Sequence, residues 1–339
     1  MYTGVYDPDG TYPEFRSVDV RPSLLQRLPH SGNKARALLP LYAVAFERLT
    51  LRDYDVVVSS SSGWAHGSRV ERGLHLCYCH TPARWLYDTE RYFTELGPVS
   101  PRLRPTVLPL LRVLRRWDQA AARRPDVYVT NSRHTAGRIA AVYGRRADVV
   151  PPPVDFRGTG ARQGSSNDEA YVLVVARLLP YKRVDLVIDA CAALGLRLIV
   201  VGDGPARAAL SKAAGASVDF RSGVSEAELG RLLANCIALV QAGEEDFGIA
   251  PLEANAAGRP VVAFGRGGAL ETVIDGTTGI LFNDPSSASL ADALKRALEH
   301  RWKPTSLREH AECFHERRFQ QQMLDLITSS VSRTVVETA

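Results

Sequence analysis

The second half of the chain alternates short apolar runs with segments of helical periodicity, and this feature restricts the fold most. The apolar runs predict strands at 171–176, 197–201, 218–220, 237–240 and 260–263. The segments that follow them predict helices at about 184–194, 206–214, 225–234, 249–258 and 269–274. Such alternation specifies a parallel sheet with helices on both faces. Because ligands bind beyond the carboxyl ends of the strands in open parallel sheets, we expect the functional residues there.

The first half has a less regular form of the same alternation. It predicts strands at about 1–6, 55–59, 74–79 and 126–130, and helices at about 35–49, 101–123 and 135–143, the last capped by Ser132. Consecutive prolines followed by Gly- and Ser-rich residues predict a linker over 151–168. We therefore predict an α/β chain of two Rossmann-like, doubly wound domains at 1–150 and 169–310. Long helical segments at about 289–332 suggest that residues 311–339 return to the first domain.

The composition restricts the class of protein. Apolar residues make up 45% and charged residues 23% of the 339 residues, as in globular domains, and no apolar run reaches the roughly 18–20 residues that span a bilayer. The first residues lack a signal-peptide pattern, so a cytoplasmic location is the expectation. The net charge of +5 and the pI of about 9.0 favour anionic substrates or peripheral contact with an anionic membrane surface. Nucleic acid is not expected as a partner, because arginine is spread along the chain.

The cysteines do not form a recognisable metal-binding or disulfide pattern. Cys77-Tyr78-Cys79-His80 could supply part of a metal site, but no second ligand pair follows at a spacing typical of zinc. The cysteines therefore do not predict a metal site, and no other cofactor is expected. It predicts buried, reduced thiols at Cys77, Cys79, Cys191, Cys236 and Cys313.

Two glutamates follow the predicted strand at 237–240. Glu245 should lie in a loop and Glu253, eight positions later, on a helix that Gly248 and Pro251 help to begin. The N–H groups and the positive dipole end of such a helix favour an anion that carries hydroxyls, such as a nucleotide sugar. The alternative is a pair of solvated surface carboxylates.

A basic loop and a glycine turn follow the first two strands of the second half. Arg177 and Lys182 are five positions apart, so one loop could direct both side chains at a pyrophosphate. The alternative is a solvated basic loop. Gly202-Asp203-Gly204 would let the backbone approach a nucleotide closely, although the segment does not match the dinucleotide fingerprint.

Polar and aromatic residues also follow the predicted strand at 74–79. His80 could hydrogen-bond a hydroxyl or relay a proton, or it could be a cleft histidine without a chemical role. Arg84 is a candidate for binding a phosphate or carboxylate of an acceptor, with a surface ion pair as the alternative. Trp85 and Tyr87 could stack on a sugar or lipid acceptor, or pack into the core.

These segments occur in one order and resemble the retaining glycosyltransferases of family 4, which have the GT-B fold. The resemblance is carried by an E-x7-E motif (Glu245 and Glu253), an R-x4-K motif (Arg177 and Lys182), an H-T-P-x-R-[YW] segment (80–85), a G-x-G-P turn (202–205) and a G-x-G-G-x-x-E segment (265–271). It implies two Rossmann-like domains that face each other across a cleft.

The resemblance implies a role for each of these residues. Arg177 and Lys182 would stabilise the departing nucleoside diphosphate, and Glu245 would contact the hydroxyls of the donor sugar. Glu253 would hold the ribose hydroxyls, and His80 would lie near the donor sugar and the acceptor. The remaining donor-binding candidates are Gly202, Asp203, Gly204, Phe247, Gly248 and Ile249.

The implied activity is retaining, metal-independent transfer of a hexose from a nucleotide-diphosphate sugar to a hydroxyl acceptor. The wording around Tyr78–Tyr87 and Gly243–Glu253 is most similar to GDP-mannose-dependent mannosyltransferases, so mannose is the favoured sugar. Two alternatives remain: a catalytically silent subunit that keeps the fold and binds a partner, and a sugar-nucleotide epimerase.

The sequence departs from the family pattern at its start. Relatives have a strand, a Gly-rich loop and a helix, about 35–40 residues, before the element that matches Tyr2–Tyr6. Either the start was assigned late, the chain is shortened, or the protein dispenses with this unit. Its loss would expose apolar surface and an unpaired strand edge, which a protein partner would cover.

Overall fold

The computed structural model describes residues 1–28, 39–89, 104–154, 156 and 170–338. The predicted helix at 35–49 is described from Leu39 onward, and most of the predicted linker at 151–168 lies outside the described residues.

The first part of the chain is built on a parallel four-stranded sheet of order β4-β6-β7-β8. Two short parallel pairs, β1 with β2 and β3 with β5, accompany it. The strands are β1 (Tyr2–Thr3), β2 (Arg21–Pro22), β3 (Thr50–Leu51), β4 (Val56–Ser61), β5 (Arg69–Val70), β6 (Leu74–Cys79), β7 (Val127–Thr130) and β8 (Ala147–Val149). The predicted strand at 1–6 is therefore only two residues long. Within the described residues, β4 pairs with β6 and has no strand on its other edge.

Four helices connect these strands in the described residues, and all except the short α2 lie where the sequence predicts helices. They are α1 (Leu39–Glu47), α2 (Arg84–Tyr87), α3 (Arg104–Ala121) and α4 (Arg133–Tyr143). Ser132 caps α4 as predicted, since its side chain accepts a hydrogen bond from the backbone N–H of Thr135 at 3.0 Å. Gly144 ends α4 in a left-handed conformation with φ of 63°.

The second part of the chain is built on a parallel six-stranded sheet of order β11-β10-β9-β12-β13-β14. The strands are β9 (Tyr171–Val175), β10 (Arg197–Val201), β11 (Val218–Arg221), β12 (Ala238–Gln241), β13 (Val261–Phe264) and β14 (Gly279–Phe282). The helices are α5 (Val184–Leu194), α6 (Arg207–Ala213), α7 (Glu226–Asn235), α8 (Ile249–Ala256), α9 (Ala269–Thr272), α10 (Ser287–Glu299), α11 (Pro304–Glu312) and α12 (Glu316–Thr338).

Both faces of this sheet are buried, which explains its nearly continuous apolar strands. Along β9, Val172 and Val174 pack into one hydrophobic cluster and Tyr171 and Leu173 into another, as alternating side chains must. The two parts of the chain together form an α/β fold with two parallel sheets, as predicted.

The helical segments predicted at about 289–332 form the three helices α10, α11 and α12. The last of them packs against the first part of the chain: Phe319 and Met323 contact the cluster that contains Leu76 and Tyr78. Within the described residues, none of the helices combines the length and apolar character needed to cross a bilayer.

Candidate functional site

Two of the predicted charged residues meet at the centre of the larger sheet. Lys182 ends a short 3-10 turn after β9, and Glu245 lies in the loop after β12. Because β9 and β12 are parallel neighbours, these loops emerge side by side. The Lys182 ammonium forms an ion pair with the Glu245 carboxylate, and only 16% and 15% of the two side chains are exposed. A cavity of about 20 Å³, which both side chains help to line, lies against the sheet.

The glycine turn after β10 packs against the loop that carries Arg177. A Cβ at Gly202 would lie 1.9 Å from the Ala176 carbonyl oxygen, and one at Gly204 would lie 2.4 Å from that of Leu178. The Leu178 N–H also donates to the Asp203 carbonyl at 2.9 Å. These glycines are therefore required by the protein's own backbone, and their approach to a nucleotide stays a prediction. Arg177 itself is exposed in the loop that they support.

The glycine segment after β13 supports the Glu245 loop in the same way. The Gly268 N–H donates to the Glu245 carbonyl at 2.8 Å, and Gly267 forms an isolated parallel bridge with Glu245. A Cβ at Gly268 would lie 2.3 Å from the Cα of Phe247. Glycine at this position thus permits direct contact between the two loops.

The four remaining donor candidates have different surroundings. Gly248 has φ of 92° and precedes α8, which starts at the exposed Ile249 and carries the half-buried Glu253. Phe247 is only 4% exposed and packs with Leu252 against the ring of Phe314. The Phe247 side chain therefore stabilises the loop from inside the protein, and its part in donor binding stays a prediction.

His80 lies at the carboxyl end of β6 and is held from several sides. Its Nε2 lies 2.9 Å from the Ser60 hydroxyl, and its ring centroid lies 5.0 Å from that of Tyr78. The Asn131 amide donates to the His80 carbonyl at 3.0 Å. Burial lowers the pKa of His80, whereas the Asp246 carboxylate acts in the opposite direction. A neutral imidazole at neutral pH can exchange a hydrogen bond with a hydroxyl.

Arg84 forms an ion pair, as in the alternative interpretation, but the pair is not on the surface. Its guanidinium lies 2.6 Å from the Asp246 carboxylate, with 25% and 14% of the side chains exposed. The guanidinium also lies over the Tyr181 ring, 5.2 Å from its centroid. Burial lowers the pKa of Arg84, but Asp246 and Tyr181 raise it more, so the charge is retained. The sequence analysis missed Asp246, although it stands directly after Glu245.

Trp85 and Tyr87 pack inside the first part of the chain. The ring centroids of Trp85 and Trp64 lie 4.8 Å apart, and the Tyr87 hydroxyl donates to the fully buried Asp118 at 2.7 Å. The structure favours the packing interpretation over stacking on an acceptor. His66 lies on the other side of this carboxylate, 3.1 Å from Asp118.

The cysteines are mostly in the core. Cys77, Cys79, Cys191 and Cys236 are buried, and burial raises the pKa of the Cys77 thiol to about 12. Cys313 is exposed, so the prediction of burial is wrong for that residue. In the described part of the chain, no group of three or more His, Cys, Asp or Glu side chains is arranged to hold a metal ion.

The chain matches two protein families along most of its length. Residues 5–157 match "Glycosyltransferase Family 4", and residues 159–313 match "Glycosyl transferases group 1". D-inositol 3-phosphate glycosyltransferase from Mycobacterium tuberculosis is 33% identical over 204 residues, which cover 53% of this chain and 42% of that protein. The match thus spans less than half the length of these curated relatives.

Solved structures with the same fold cover nearly the whole chain. Sucrose-phosphate synthase from Thermosynechococcus elongatus superposes with a TM-score of 0.70 at 19% identity, over 94% of this chain and 84% of that chain. HepE from Anabaena, in complex with UDP and glucose, superposes with a TM-score of 0.64 at 18% identity, over 93% of this chain and 88% of that chain. At these identities the similarity establishes the GT-B fold alone.

Proposed function

We propose that this chain, which belongs to the glycosyltransferases of family 4 and group 1, transfers a hexose from a nucleotide-diphosphate sugar to a hydroxyl acceptor. The observation that carries the proposal is the Lys182–Glu245 pair at the carboxyl ends of β9 and β12. It faces His80 and Arg84, which follow β6 of the other sheet, and Arg84 pairs with Asp246, the residue after Glu245. The Lys182 ammonium suits the diphosphate of a nucleotide sugar, and the Glu245 carboxylate can accept hydrogen bonds from the sugar hydroxyls. The neutral His80 imidazole on the opposite side suits an incoming hydroxyl.

The transfer would retain the configuration of the donor sugar and would need no metal ion. Lys182 and Arg177 would take up the negative charge that develops on the diphosphate as the glycosidic bond breaks. A phosphate oxygen of the leaving diphosphate would accept the proton of the attacking hydroxyl on the same face of the sugar. Glu245 would then orient the sugar hydroxyls instead of acting as a base, and Glu253 would hold the ribose.

GDP-mannose is the proposed donor, because the segments around His80 and Glu245 resemble those of GDP-mannose-dependent mannosyltransferases. The D-inositol 3-phosphate glycosyltransferase relative suggests a phosphorylated polyol as one acceptor class to test. A panel of GDP-mannose, UDP-glucose and UDP-N-acetylglucosamine with purified protein would decide the donor. Turnover with a UDP-sugar alone would contradict the choice of mannose but not the reaction.

The roles of two residues can be separated by steady-state kinetics. Arg177→Ala should lower kcat by about 10²–10³, because it removes a group that stabilises the departing charge. Glu253→Ala should mainly raise the dissociation constant of the donor, because its proposed contact is with the ribose. Arg231→Ala, an exposed change on α7, is the matched control. Wild-type turnover in both site variants would refute these roles.

A second candidate, a catalytically silent subunit, is favoured by one surface. Within the described residues β4 has a free edge, on which Val58 is 50% exposed. An apolar groove of about 430 Å³ is lined by residues of β1, β2, the 3-10 turn that follows β2, and α1, among them Leu24, Leu41 and Val44. A strand from a partner protein would satisfy such an edge. Nucleotide binding without transfer or hydrolysis of any donor would support this candidate, and interconversion of sugar nucleotides without acceptor would indicate an epimerase.

Peripheral membrane contact is proposed for the exposed surface of α3. Leu108, Leu110 and Val113 are exposed on this helix together with Arg112 and Arg116. Apolar side chains flanked by arginines suit an anionic bilayer surface. Co-sedimentation with vesicles that contain anionic lipid, compared with neutral vesicles, tests this contact. Equal binding to both kinds of vesicle, or binding to neither, would refute this contact.

A further inference from the structure

The N-terminus of α4 receives a carboxylate from the other part of the chain. The backbone N–H of Arg133 donates to one oxygen of Glu271 at 2.9 Å, and that of His134 donates to the other at 3.1 Å. Glu271 lies on α9, which follows the larger sheet's strand β13, whereas α4 follows β7 of the smaller sheet. A side chain of one part of the chain thus caps a helix of the other.

This cap completes the hydrogen bonding of the first turn of α4. The first N–H groups of a helix have no partner within the helix. Ser132 satisfies the N–H of Thr135, and Glu271 satisfies the two N–H groups before it. A negative charge at this end is also favoured by the helix dipole. If the two parts separated, water could replace Glu271, so the contact can be made and broken without leaving buried groups unpaired.

Asp246 makes two further contacts across the same seam, besides a longer approach of His134 Nε2 to Glu244 Oε1 at 3.8 Å. The Ser132 hydroxyl donates to the Asp246 carbonyl at 2.5 Å, and Arg84 pairs with the Asp246 carboxylate at 2.6 Å. Ser132 therefore links the N-terminus of α4 to the loop that carries Glu245. The three contacts lie at the place where the proposed donor and acceptor residues face each other.

Glu271 is also tied to the donor side through the chain. It follows Gly268 by three residues, and the Gly268 N–H is bonded to the Glu245 carbonyl at 2.8 Å. Gly268 itself contacts the Phe247 backbone too closely to admit a Cβ. Movement of the Glu245 loop must therefore move Glu271, and a capped α4 holds that loop in register with His80.

We propose that Glu271 is a positioning residue that holds the cleft closed by capping α4. It touches neither donor nor acceptor, and it acts by holding the His80 side against the Glu245 side. The inference rests on the proposed function for its kinetic consequence but not for its conformational one. Removing the cap should shift the equilibrium between closed and open forms about tenfold toward the open form, as expected for a lost pair of charge-assisted hydrogen bonds at a helix end.

The test compares Glu271→Ala and Glu271→Gln with the wild-type chain by small-angle X-ray scattering. Glu271→Ala should increase the radius of gyration, and Glu271→Gln, which keeps one acceptor oxygen, should lie between it and the wild type. Glu228→Ala is the control, because this carboxylate pairs with Arg221 inside the second part of the chain. Radii of gyration equal to that of the control in both variants would overturn the proposal. If Glu271→Ala does not fold, the comparison of Glu271→Gln with the control decides.

Kinetics supply the second readout. In Glu271→Ala the KM for the donor should rise up to about tenfold, because the apparent affinity falls with the fraction of the closed form, while kcat changes much less. Glu271→Gln should restore part of the difference. A fall in kcat with unchanged KM would contradict a positioning role. Absence of transfer by the wild-type protein would refute the proposed function alone, since scattering would still report on the cap.

Discussion

Replacing Gly202 by alanine tests how the two loops beside the proposed diphosphate site are held together. Gly202 has φ of 145°, where side chains are rarely tolerated, and an added Cβ would lie 1.9 Å from the Ala176 carbonyl oxygen. The obstacle is the backbone of Ala176, a half-buried residue directly after β9, and it cannot rotate away as a side chain could. The Gly202 N–H also donates to the Arg221 carbonyl at 2.8 Å, so the loop is held on its other side.

The expected cost follows from these contacts. The loop must move by about 1.5 Å to reach ordinary van der Waals contact, because packed interiors have no room to absorb the overlap. Unfavourable φ costs about 1–3 kcal/mol and overpacking costs about as much, so we expect a loss of about 2–6 kcal/mol in the free energy of unfolding. Displacement of the loop should also weaken donor binding, since Leu178 and Arg177 move with it.

The measurement is urea denaturation of Gly202→Ala, with Gly215→Ala as the control. Gly215 has open space where its Cβ would be, so that substitution should be neutral or stabilise by about 0.4–1 kcal/mol. Titration calorimetry with the nucleoside diphosphate gives the accompanying change in donor affinity. A loss below about 1 kcal/mol in Gly202→Ala would refute the argument that backbone contact requires this glycine.

Three further predictions concern charged and titratable groups. Burial lowers the pKa of His75 from 6.5 to about 4, so only the unfolded chain binds the proton between those values, and lowering the pH from 7 to 5 should cost about 2 kcal/mol of stability. His75→Gln should flatten this dependence in urea titrations, and an unchanged slope would contradict it. Burial would raise the pKa of Glu47, but hydrogen bonds from two arginines and a tryptophan lower it to about 2, so Glu47→Gln should cost about 2 kcal/mol at pH 7. That difference should shrink in denaturation curves as the pH falls from 4.5 toward 2, and a constant difference would refute the cause. A double-mutant cycle of Arg84→Ala and Asp246→Ala should give a coupling of about 1–3 kcal/mol in unfolding experiments, and additive effects would refute the ion pair.

The elements that the sequence predicts well are those with a strong local signal. The helix at 184–194 and the strands at 197–201 and 74–79 have the predicted bounds, because apolar periodicity and glycine boundaries define them without help from distant residues. The sequence analysis does not predict β8 and β14, which are three and four residues long. Their strand conformation depends on pairing with β7 and β13.

The candidate site likewise has some features that the sequence predicts and others that it does not. Position after a strand predicts that Lys182, Glu245 and His80 lie at the carboxyl ends of parallel sheets, because that follows from chain direction alone. The sequence does not predict which side chains pair with each other. Nothing local indicates that Arg84 pairs with Asp246, and nothing distinguishes the buried Phe247 from its exposed neighbour Ile249.

The amino-acid sequence by itself determined the alternation of strands and helices, the parallel direction of the strands, and hence the edge of each sheet at which the polar residues gather. Only the tertiary structure decided which of those residues meet: Lys182 with Glu245 between adjacent loops, and Glu271 with the N-terminus of α4 between the two sheets. The physical reason is the separation along the chain over which each interaction acts. Periodicity and turn chemistry act over a few residues, whereas ion pairs and helix caps across a seam depend on how two separately formed sheets are placed together.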